Sequence, residues 1–166
     1  MMQPRLSNIS VNGNSIGKFF LLITLICIGA CSPMHSSYSN FVDIEGNMWD
    51  RTIPCEFIPV YSDTLSSYDV KVAFCYEYKY PFRNVSLVVD FMKNDSLVNR
   101  VNADFDVADA NGRKQSAGFG VAYQAEEVIA KGVNVVDFDK IRVWNGIEND
   151  TLNYITSVGV IIIPTK

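Results

Sequence analysis

Apolar and polar residues alternate along residues 68–80, and this alternation is the clearest structural signal in the chain. Apolar side chains occupy the even positions from Tyr68 to Tyr80, and mostly polar side chains lie between them. A period of two places one set of side chains on a single face of a β-strand. The pattern therefore predicts a strand with one face against a core, and Pro81 ends it.

Short apolar or alternating segments recur along the rest of the chain. The predicted strands are 53–60, 85–92, 97–107, 118–124, 133–136, 140–144 and 156–163. Pro54 and Pro59 place the first of these at a sheet edge, because proline cannot donate a backbone hydrogen bond. The segment 125–131 is predicted to form one or two helical turns. Seven or eight short strands with turn signals between them predict an all-β fold, an antiparallel β-sandwich, with a small β-barrel as the alternative.

The first 30 residues have the pattern of an export signal. Two basic residues, Arg5 and Lys18, precede an apolar stretch over residues 19–28, and small residues precede Cys31. About ten apolar residues form a helix of only about 15 Å, which is too short to span a bilayer. Residues 1–30 are therefore predicted to be a cleaved lipoprotein signal peptide rather than a permanent transmembrane anchor.

Ile28-Gly29-Ala30-Cys31 resembles the bacterial lipobox, in which the cysteine is acylated and becomes the new N-terminus. Two or three acyl chains hold a protein stably at a membrane, at about 0.8 kcal/mol per buried CH₂. Cys31 is therefore predicted to be lipidated. Residues 31–40 are small and polar and are predicted to be a flexible tether, and residues 41–166 form the β-sandwich domain. Since the tether carries no acidic cluster, we expect the domain to face the periplasm from a lipid anchor in the cell envelope.

The predicted mature chain is mildly acidic. Removing the signal leaves 136 residues, a size typical of one domain, with 12 basic and 18 acidic side chains. An acidic domain without a cluster of lysine and arginine is not expected to bind nucleic acid or an anionic membrane surface directly. The lipid anchor is therefore the expected means of contact with the membrane.

Two cysteines, Cys55 and Cys75, remain in the mature domain beyond Cys31. Export places them in an oxidising compartment, where a disulfide closing a loop of about 20 residues would add roughly 3 kcal/mol of stability. The alternation puts Cys75 on the polar face of its strand, whereas Cys55 is in step with the apolar Phe57. The sequence therefore leaves two alternatives, a Cys55–Cys75 disulfide and two separate free thiols.

No catalytic constellation is recognisable, and we expect the protein not to be an enzyme. The only histidine, His35, lies in the tether, which excludes Ser-His-Asp and Cys-His mechanisms and multi-histidine zinc sites. Gly118-Phe119-Gly120 lacks a following helix and is interpreted as a bend or a close strand contact. Asp104, Asp106 and Asp109 form an incomplete calcium ligand set. No metal site and no cofactor are predicted.

A run of aromatic residues ends in Tyr80-Pro81-Phe82-Arg83-Asn84. Aromatic and arginine side chains are enriched at recognition surfaces because they combine contact area with polar groups. Tyr80, Phe82, Arg83 and Asn84 are therefore a candidate interaction surface. The alternative is that the motif only turns the chain.

Three short matches of the form Asp-Ser/Thr-Leu occur at predicted turns. Each resembles the acceptor sequence of the general O-glycosylation system of Bacteroidetes. The candidate acceptors are Thr64, Ser96 and Thr151. Ordinary turn chemistry explains the same residues without glycosylation.

The order of these motifs resembles the GldH family of gliding-motility lipoproteins from Bacteroidetes. The similarity covers roughly residues 40–164, and its most specific pieces are Tyr80-Pro81-Phe82-x-Asn84-x-x-Leu87 and Val158-Gly159-Val160. The resemblance implies a non-enzymatic envelope protein that contacts other motility proteins or the associated secretion machinery. A carbohydrate-binding lipoprotein of a glycan-uptake system is the alternative, and a glycosidase ranks last because no acidic pair is brought together.

Overall fold

The computed structural model describes residues 37–61, 66–115, 117–119 and 122–165, and most of these residues are in β-strands. The strands are β1 Tyr38–Asp43, β2 Met48–Asp50, β3 Cys55–Phe57, β4 Ser67–Glu77, β5 Asn84–Lys93, β6 Ser96–Asp106, β7 Ala117–Phe119, β8 Ala122–Asn134, β9 Lys140–Asn145, β10 Thr151–Asn153 and β11 Ile155–Pro164. Short 3-10 helices cover Glu45–Asn47 and Val135–Asp137. The predicted signal peptide, Cys31, His35 and Thr64 lie outside the described residues.

Two large antiparallel sheets make up the domain. One sheet has the strand order β1-β11-β4-β8-β7, the other has the order β3-β9-β5-β6, and β10 pairs with β2 separately. Neither large sheet closes on itself among the described residues, so the predicted all-β sandwich is confirmed and the barrel alternative is not. The proline-flanked strand β3 lies at a sheet edge, as its sequence predicted.

The core lies between the two large sheets and is built from the alternating side chains of their strands. In β4, Tyr68, Phe74 and the other even-numbered residues are buried, which confirms the predicted alternation up to Tyr76. The strand ends at Glu77 rather than at residue 80, and Tyr78 is 62% exposed, so the prediction is wrong for Tyr78. The buried rings of β4 meet side chains of the facing sheet: the centroids of Phe74 and Phe105 are 5.0 Å apart in an edge-to-face arrangement. Such contacts add about 0.5–1.5 kcal/mol beyond the burial of apolar area.

The helical turns predicted at residues 125–131 are wrong, because this segment lies in the middle of β8. Its sequence, Ala-Glu-Glu-Val-Ile-Ala-Lys, contains good helix formers. Pairing with β4 along almost its whole length overrides that local preference, with register shifts beside Val70 that bend the pair. The strands predicted at 118–124 and 133–136 have different bounds in the structure. Residues 118–119 lie in β7, residues 122–124 and 133–134 lie at the two ends of β8, and residues 135–136 lie in a 3-10 helix. The structure describes no helix long and apolar enough to cross a membrane.

The strand directions define two ends of the sandwich. β1 and β4 both pair antiparallel with β11, so they run in the same direction. The N-terminal end is the end at which β1 begins at Tyr38; it also carries the chain after Phe57 and the 3-10 helix Val135–Asp137. The motif end is the opposite end, where β4 finishes at Glu77 and the Tyr80–Asn84 motif leads into β5.

Candidate interaction surface at the motif end

Tyr80 holds the loop between β4 and β5 closed. Its side chain is buried, with 2% exposed, and its hydroxyl donates a hydrogen bond to the backbone carbonyl of Asn84 at 2.9 Å. Its backbone amide donates to the carbonyl of Glu77 at 3.0 Å, which closes the preceding turn. Its ring packs edge-to-face against Tyr76 and Phe82, and burial raises the pKa of the Tyr80 hydroxyl. Tyr80 therefore offers a partner little area and serves to hold the loop.

Lys114 fastens the loop to the segment that follows β6. Its ammonium group donates to the backbone carbonyl of Tyr80 at 2.8 Å. The same nitrogen lies 5.5 Å from the ring centroid of Tyr76 and 5.7 Å from that of Tyr80, within the range of cation–π attraction. Burial lowers the pKa of Lys114. One lysine therefore bonds the loop to the segment after β6 and contacts the rings of Tyr76 in β4 and Tyr80 in the loop.

The backbone of Arg83 is fixed from the same side. Its carbonyl accepts hydrogen bonds from the amides of Val107 and Ala108, at 2.8 and 3.2 Å. The hydroxyl of Tyr76 donates to the carbonyl of Val107 at 3.2 Å. The loop is thus bonded to the 107–114 segment at both Tyr80 and Arg83, and its exposed side chains project from a rigid base.

Of the four predicted surface residues, Phe82, Arg83 and Asn84 are exposed, and Phe82 has 49% of its surface exposed. Phe82 and Asn84 line a small groove of about 130 Å³, and Ile147 and Asn149 also line it. The structure therefore divides the four predicted surface residues into one buried support and three exposed side chains. Whether a partner binds them stays a prediction.

A second polar arrangement, which the sequence analysis missed, lies on the outer face of the four-stranded sheet. Asp90 is 4% exposed, and its carboxylate accepts two hydrogen bonds from Arg100, at 2.6 and 2.8 Å, and one from the indole of Trp144 at 2.9 Å. The hydrogen bond from Arg100 is the largest cause of the lowered pKa of Asp90. The available signal was an aspartate inside the apolar strand Val85–Met92. Because three donors occupy it, this carboxylate ties β5, β6 and β9 together.

The three aspartates weighed as a calcium site have separate structural roles. Asp104 and Asp106 lie on β6, where Asp104 accepts a hydrogen bond from the hydroxyl of Ser86. Asp109 caps the following turn by accepting from the amides of Asn111 and Arg113, both at 2.8 Å. Within the described part of the chain, no group of three or more His, Cys, Asp or Glu side chains is placed to hold a metal.

The sequence left open whether Gly118 forms a bend or a close contact between strands, and the structure shows the close contact. A Cβ atom at this position would lie 2.4 Å from the ring of Tyr123 on the paired strand β8. Only glycine leaves room for that ring. Gly118 therefore belongs to strand packing, and Gly120 lies outside the described residues.

Cys55 and Cys75 are both free thiols in the structure. Cys55 is buried in the core on β3, and burial raises its pKa to about 11. Cys75 is partly exposed on β4, on the face turned away from the core-facing Phe74 and Tyr76. The sheet that contains β4 therefore lies between the two side chains, and the structure has the two-thiol arrangement rather than the disulfide.

The glycosylation candidates differ in accessibility. Ser96 is exposed and follows a tight turn in which Asn94 and Asp95 both have positive φ angles. Thr151 is half-buried and opposite Asp50 in the β10–β2 pair. Ser96 is therefore the more accessible described hydroxyl, and modification of any of the three sites stays a prediction.

Comparison with solved structures gives a weak likeness. A structure of infectious bursal disease virus, Gx strain, matches with 12% sequence identity and a TM-score of 0.30. The match covers 78% of this chain and 30% of the viral chain, so this chain spans less than a third of the protein it matches. A likeness of this size carries no argument about function. No curated protein matches the chain.

Comparison with protein families gives a match over most of the domain. The model of the GldH lipoprotein family matches residues 36–162. The match contains the Tyr80–Asn84 loop, the Asp90 arrangement and both large sheets except the last two residues of β11. The chain therefore belongs to the GldH lipoprotein family, a membrane-associated family of gliding-motility type.

Proposed function

We propose that the protein is a lipid-anchored, non-enzymatic component of the cell envelope. Its domain faces the periplasm and binds other proteins of the gliding-motility machinery or of the secretion machinery associated with it. Membership of the GldH lipoprotein family supports the membrane attachment and the connection with motility. Cys31 is the proposed site of the lipid.

The observation that carries the binding role is the exposure of Phe82 and Arg83 on a fixed loop. Aromatic and arginine side chains dominate the binding energy of many protein interfaces. A loop already held by Tyr80 and Lys114 loses little conformational freedom when a partner binds, so less of the contact energy is spent on ordering it. The loop also lies at the end of the sandwich opposite to Tyr38, where the chain enters from the anchor. At that position, the loop is accessible to a partner protein on the side of the domain that faces away from the membrane.

Complementation of a deletion strain tests this proposal. The strain receives the wild-type gene, the double variant Phe82→Ala/Arg83→Ala, or the control Arg51→Ala/Ile53→Ala. The control removes an exposed arginine and an exposed apolar residue, Ile53 being 61% exposed, from a different loop. Colony spreading and the amount of secreted protein are measured, and immunoblots of membrane fractions report the level of each variant.

We expect the Phe82/Arg83 variant to reach the membrane at the wild-type level and to leave spreading and secretion as defective as in the deletion strain. The control variant restores both. Full restoration by the Phe82/Arg83 variant would contradict the binding role of the loop. A deletion strain that spreads and secretes normally would contradict the connection with motility and secretion.

A carbohydrate-binding role is the second candidate, and Trp144 is the residue that favours it. Trp144 is half-buried on the outer face of the four-stranded sheet, beside Asp90 and its arginine partner. An aromatic ring next to charged groups offers both stacking area and hydrogen bonds to a sugar. A glycan array probed with the wild-type protein and with Trp144→Ala tests it. Binding that Trp144→Ala abolishes supports this candidate, and no binding to any glycan removes it.

A further inference from the structure

Among the described residues, the N-terminal end of the sandwich exposes five aliphatic side chains. They are Ile58 (66% exposed), Val60 (81%), Leu97 (51%), Val98 (53%) and Val136 (50%). We call these five residues the aliphatic rim. Single exposed apolar residues are ordinary on protein surfaces, but several at one end of a small domain indicate contact with another apolar phase.

Contacts between the loops bring the segments that carry the rim together. The ammonium group of Lys93, in the strand before the β5–β6 turn, donates to the carbonyl of Val136 at 2.9 Å. The ring of Tyr61, next to Val60, lies edge-on to Phe138 with centroids 6.3 Å apart. The loop after β3, the β5–β6 turn and the 3-10 helix before β9 therefore meet at the same end of the domain.

The chain also enters the domain at this end. Tyr38, the first residue of β1, is opposite Ile162 of β11, and Ile162 is opposite Val70, near the start of β4. Seven peptide steps separate Tyr38 from Cys31 in the sequence, and a fully extended chain of that length spans about 25 Å. The 11 residues of β4 extend over about 36 Å, which is more than the connection can reach. The N-terminal end is therefore the part of the domain held nearest to a lipid on Cys31.

From these observations we propose that the N-terminal end of the domain rests on the membrane that holds the anchor, with the aliphatic rim in the headgroup region. This inference depends on the lipid anchor of the proposed function. The contact is apolar rather than electrostatic, because the charged residues at this end have both signs. Lys140 donates a hydrogen bond to Asp95, and Asp139 accepts one from the backbone amide of Asn94, next to Lys93. Burial of aliphatic side chains at the interface would orient the domain with its motif end away from the bilayer.

Lipid-dependent fluorescence quenching tests the proposal on the lipidated mature protein in vesicles of phosphatidylcholine and phosphatidylethanolamine. Single cysteines, Val60→Cys or Val136→Cys, are introduced into a Cys75→Ser background and labelled with an environment-sensitive dye. Phe82→Cys, at the motif end, is the matched control, since Val136 and Phe82 are almost equally exposed. Spin-labelled lipids quench a dye only when it lies at the bilayer. Flotation of the vesicles reports anchoring separately.

We expect dyes at positions 60 and 136 to be quenched about twofold more than the dye at position 82. Adding Ile58→Asp to the Val136→Cys protein should lower quenching at position 136 and leave flotation unchanged. A protein that floats but shows equal quenching at all three positions overturns this inference and leaves the anchor intact. A protein that does not float contradicts the lipid anchor, and with it this inference.

Discussion

The hydroxyl of Tyr80 spans the motif loop to reach the backbone carbonyl of Asn84, four residues further on. The tyrosine side chain is buried, and the carbonyl that accepts the bond belongs to the first residue of β5. The bond therefore helps to fix the position at which β5 begins after β4. The residues between its ends, Phe82 and Arg83 among them, are held as a compact projection. The same tyrosine thus connects the packing of the core with the candidate interaction surface.

Replacing Tyr80 by phenylalanine should lower the free energy of unfolding by about 1 kcal/mol. The variant keeps the ring in the core but removes the hydroxyl that donates to the carbonyl of Asn84. The expected loss of stability is the usual effect of one lost hydrogen bond. Urea denaturation measures the change. Tyr78→Phe is the control, because Tyr78 is 62% exposed. Equal stability of the two variants would contradict the role given to the Tyr80 hydroxyl.

Tyr61→Phe should leave stability unchanged or raise it. The hydroxyl of Tyr61 is buried and has no hydrogen-bond partner among the described residues. Burial is the first cause of its raised pKa, and the nearby Tyr38 and Tyr68 add to it. Removing an unsatisfied polar atom recovers its desolvation cost, which is about 1–3 kcal/mol at most. Thermal or urea unfolding of the variant and of the wild type measures the change. A loss of stability in the variant would show that the hydroxyl has a hydrogen-bond partner, which would contradict this prediction.

Asp90→Asn should destabilise the protein at neutral pH by about 2 kcal/mol, since hydrogen bonds to a charged group are among the stronger ones. The pKa of Asp90 is lower in the folded protein than its usual value of 3.8. The ionised group therefore stabilises the fold above that value, and its contribution is lost as the pH falls through the folded pKa.

The difference in stability between the wild type and Asp90→Asn should accordingly shrink as the pH is lowered below 3.8. Urea titrations at a series of pH values measure it. Asp95→Asn is the matched control, because Asp95 pairs with Lys140 but its side chain is 79% exposed. We expect that exposed pair to contribute little to stability, because water and salt screen the attraction between its charges. If the difference in unfolding free energy between the wild type and Asp90→Asn does not change with pH, the Asp90 carboxylate does not stabilise the fold through its charge.

Thiol titration should detect two free thiols per mature domain, in two steps. Cys75 is partly exposed and should react in the folded protein, whereas Cys55 is buried, has its pKa raised to about 11, and should react only after unfolding. In Cys75→Ser, the fast step disappears. If no thiol reacts after unfolding without reductant, the two cysteines form a disulfide and the structure is contradicted at this point.

Gly159→Ala should destabilise the protein by about 1–3 kcal/mol, the usual cost of overpacking. A Cβ at this position would lie 2.5 Å from the ring of Phe41, its cross-strand partner on β1. The glycine of the Val158-Gly159-Val160 motif is thus covered by an aromatic ring. In the double variant Phe41→Ala/Gly159→Ala, the added methyl group has room, so its cost should largely vanish. If the two substitutions change the free energy of unfolding additively, the added methyl group does not contact the ring of Phe41.

The strands that alternate clearly could be predicted from the sequence, because a side chain's face in a strand depends only on its position in the chain. Tyr68 to Tyr76 face the core as their even numbering predicted, and the prolines around β3 placed that strand at an edge. Residues 125–131 could not be predicted in this way. Their helix-forming composition is a local property, whereas the hydrogen bonds to β4 that hold them extended come from residues more than 50 positions earlier.

The same distinction applies to the candidate sites. The sequence by itself determined that Tyr80, Phe82, Arg83 and Asn84 form one motif and that the chain resembles the GldH lipoproteins. Only the tertiary structure decided that Tyr80 is buried while Phe82 is exposed, because Lys114 and the 107–114 segment close over one side of the loop. It also put Cys55 and Cys75 on opposite sides of a sheet. Such outcomes depend on which distant strands pair, and pairing is a property of the whole fold.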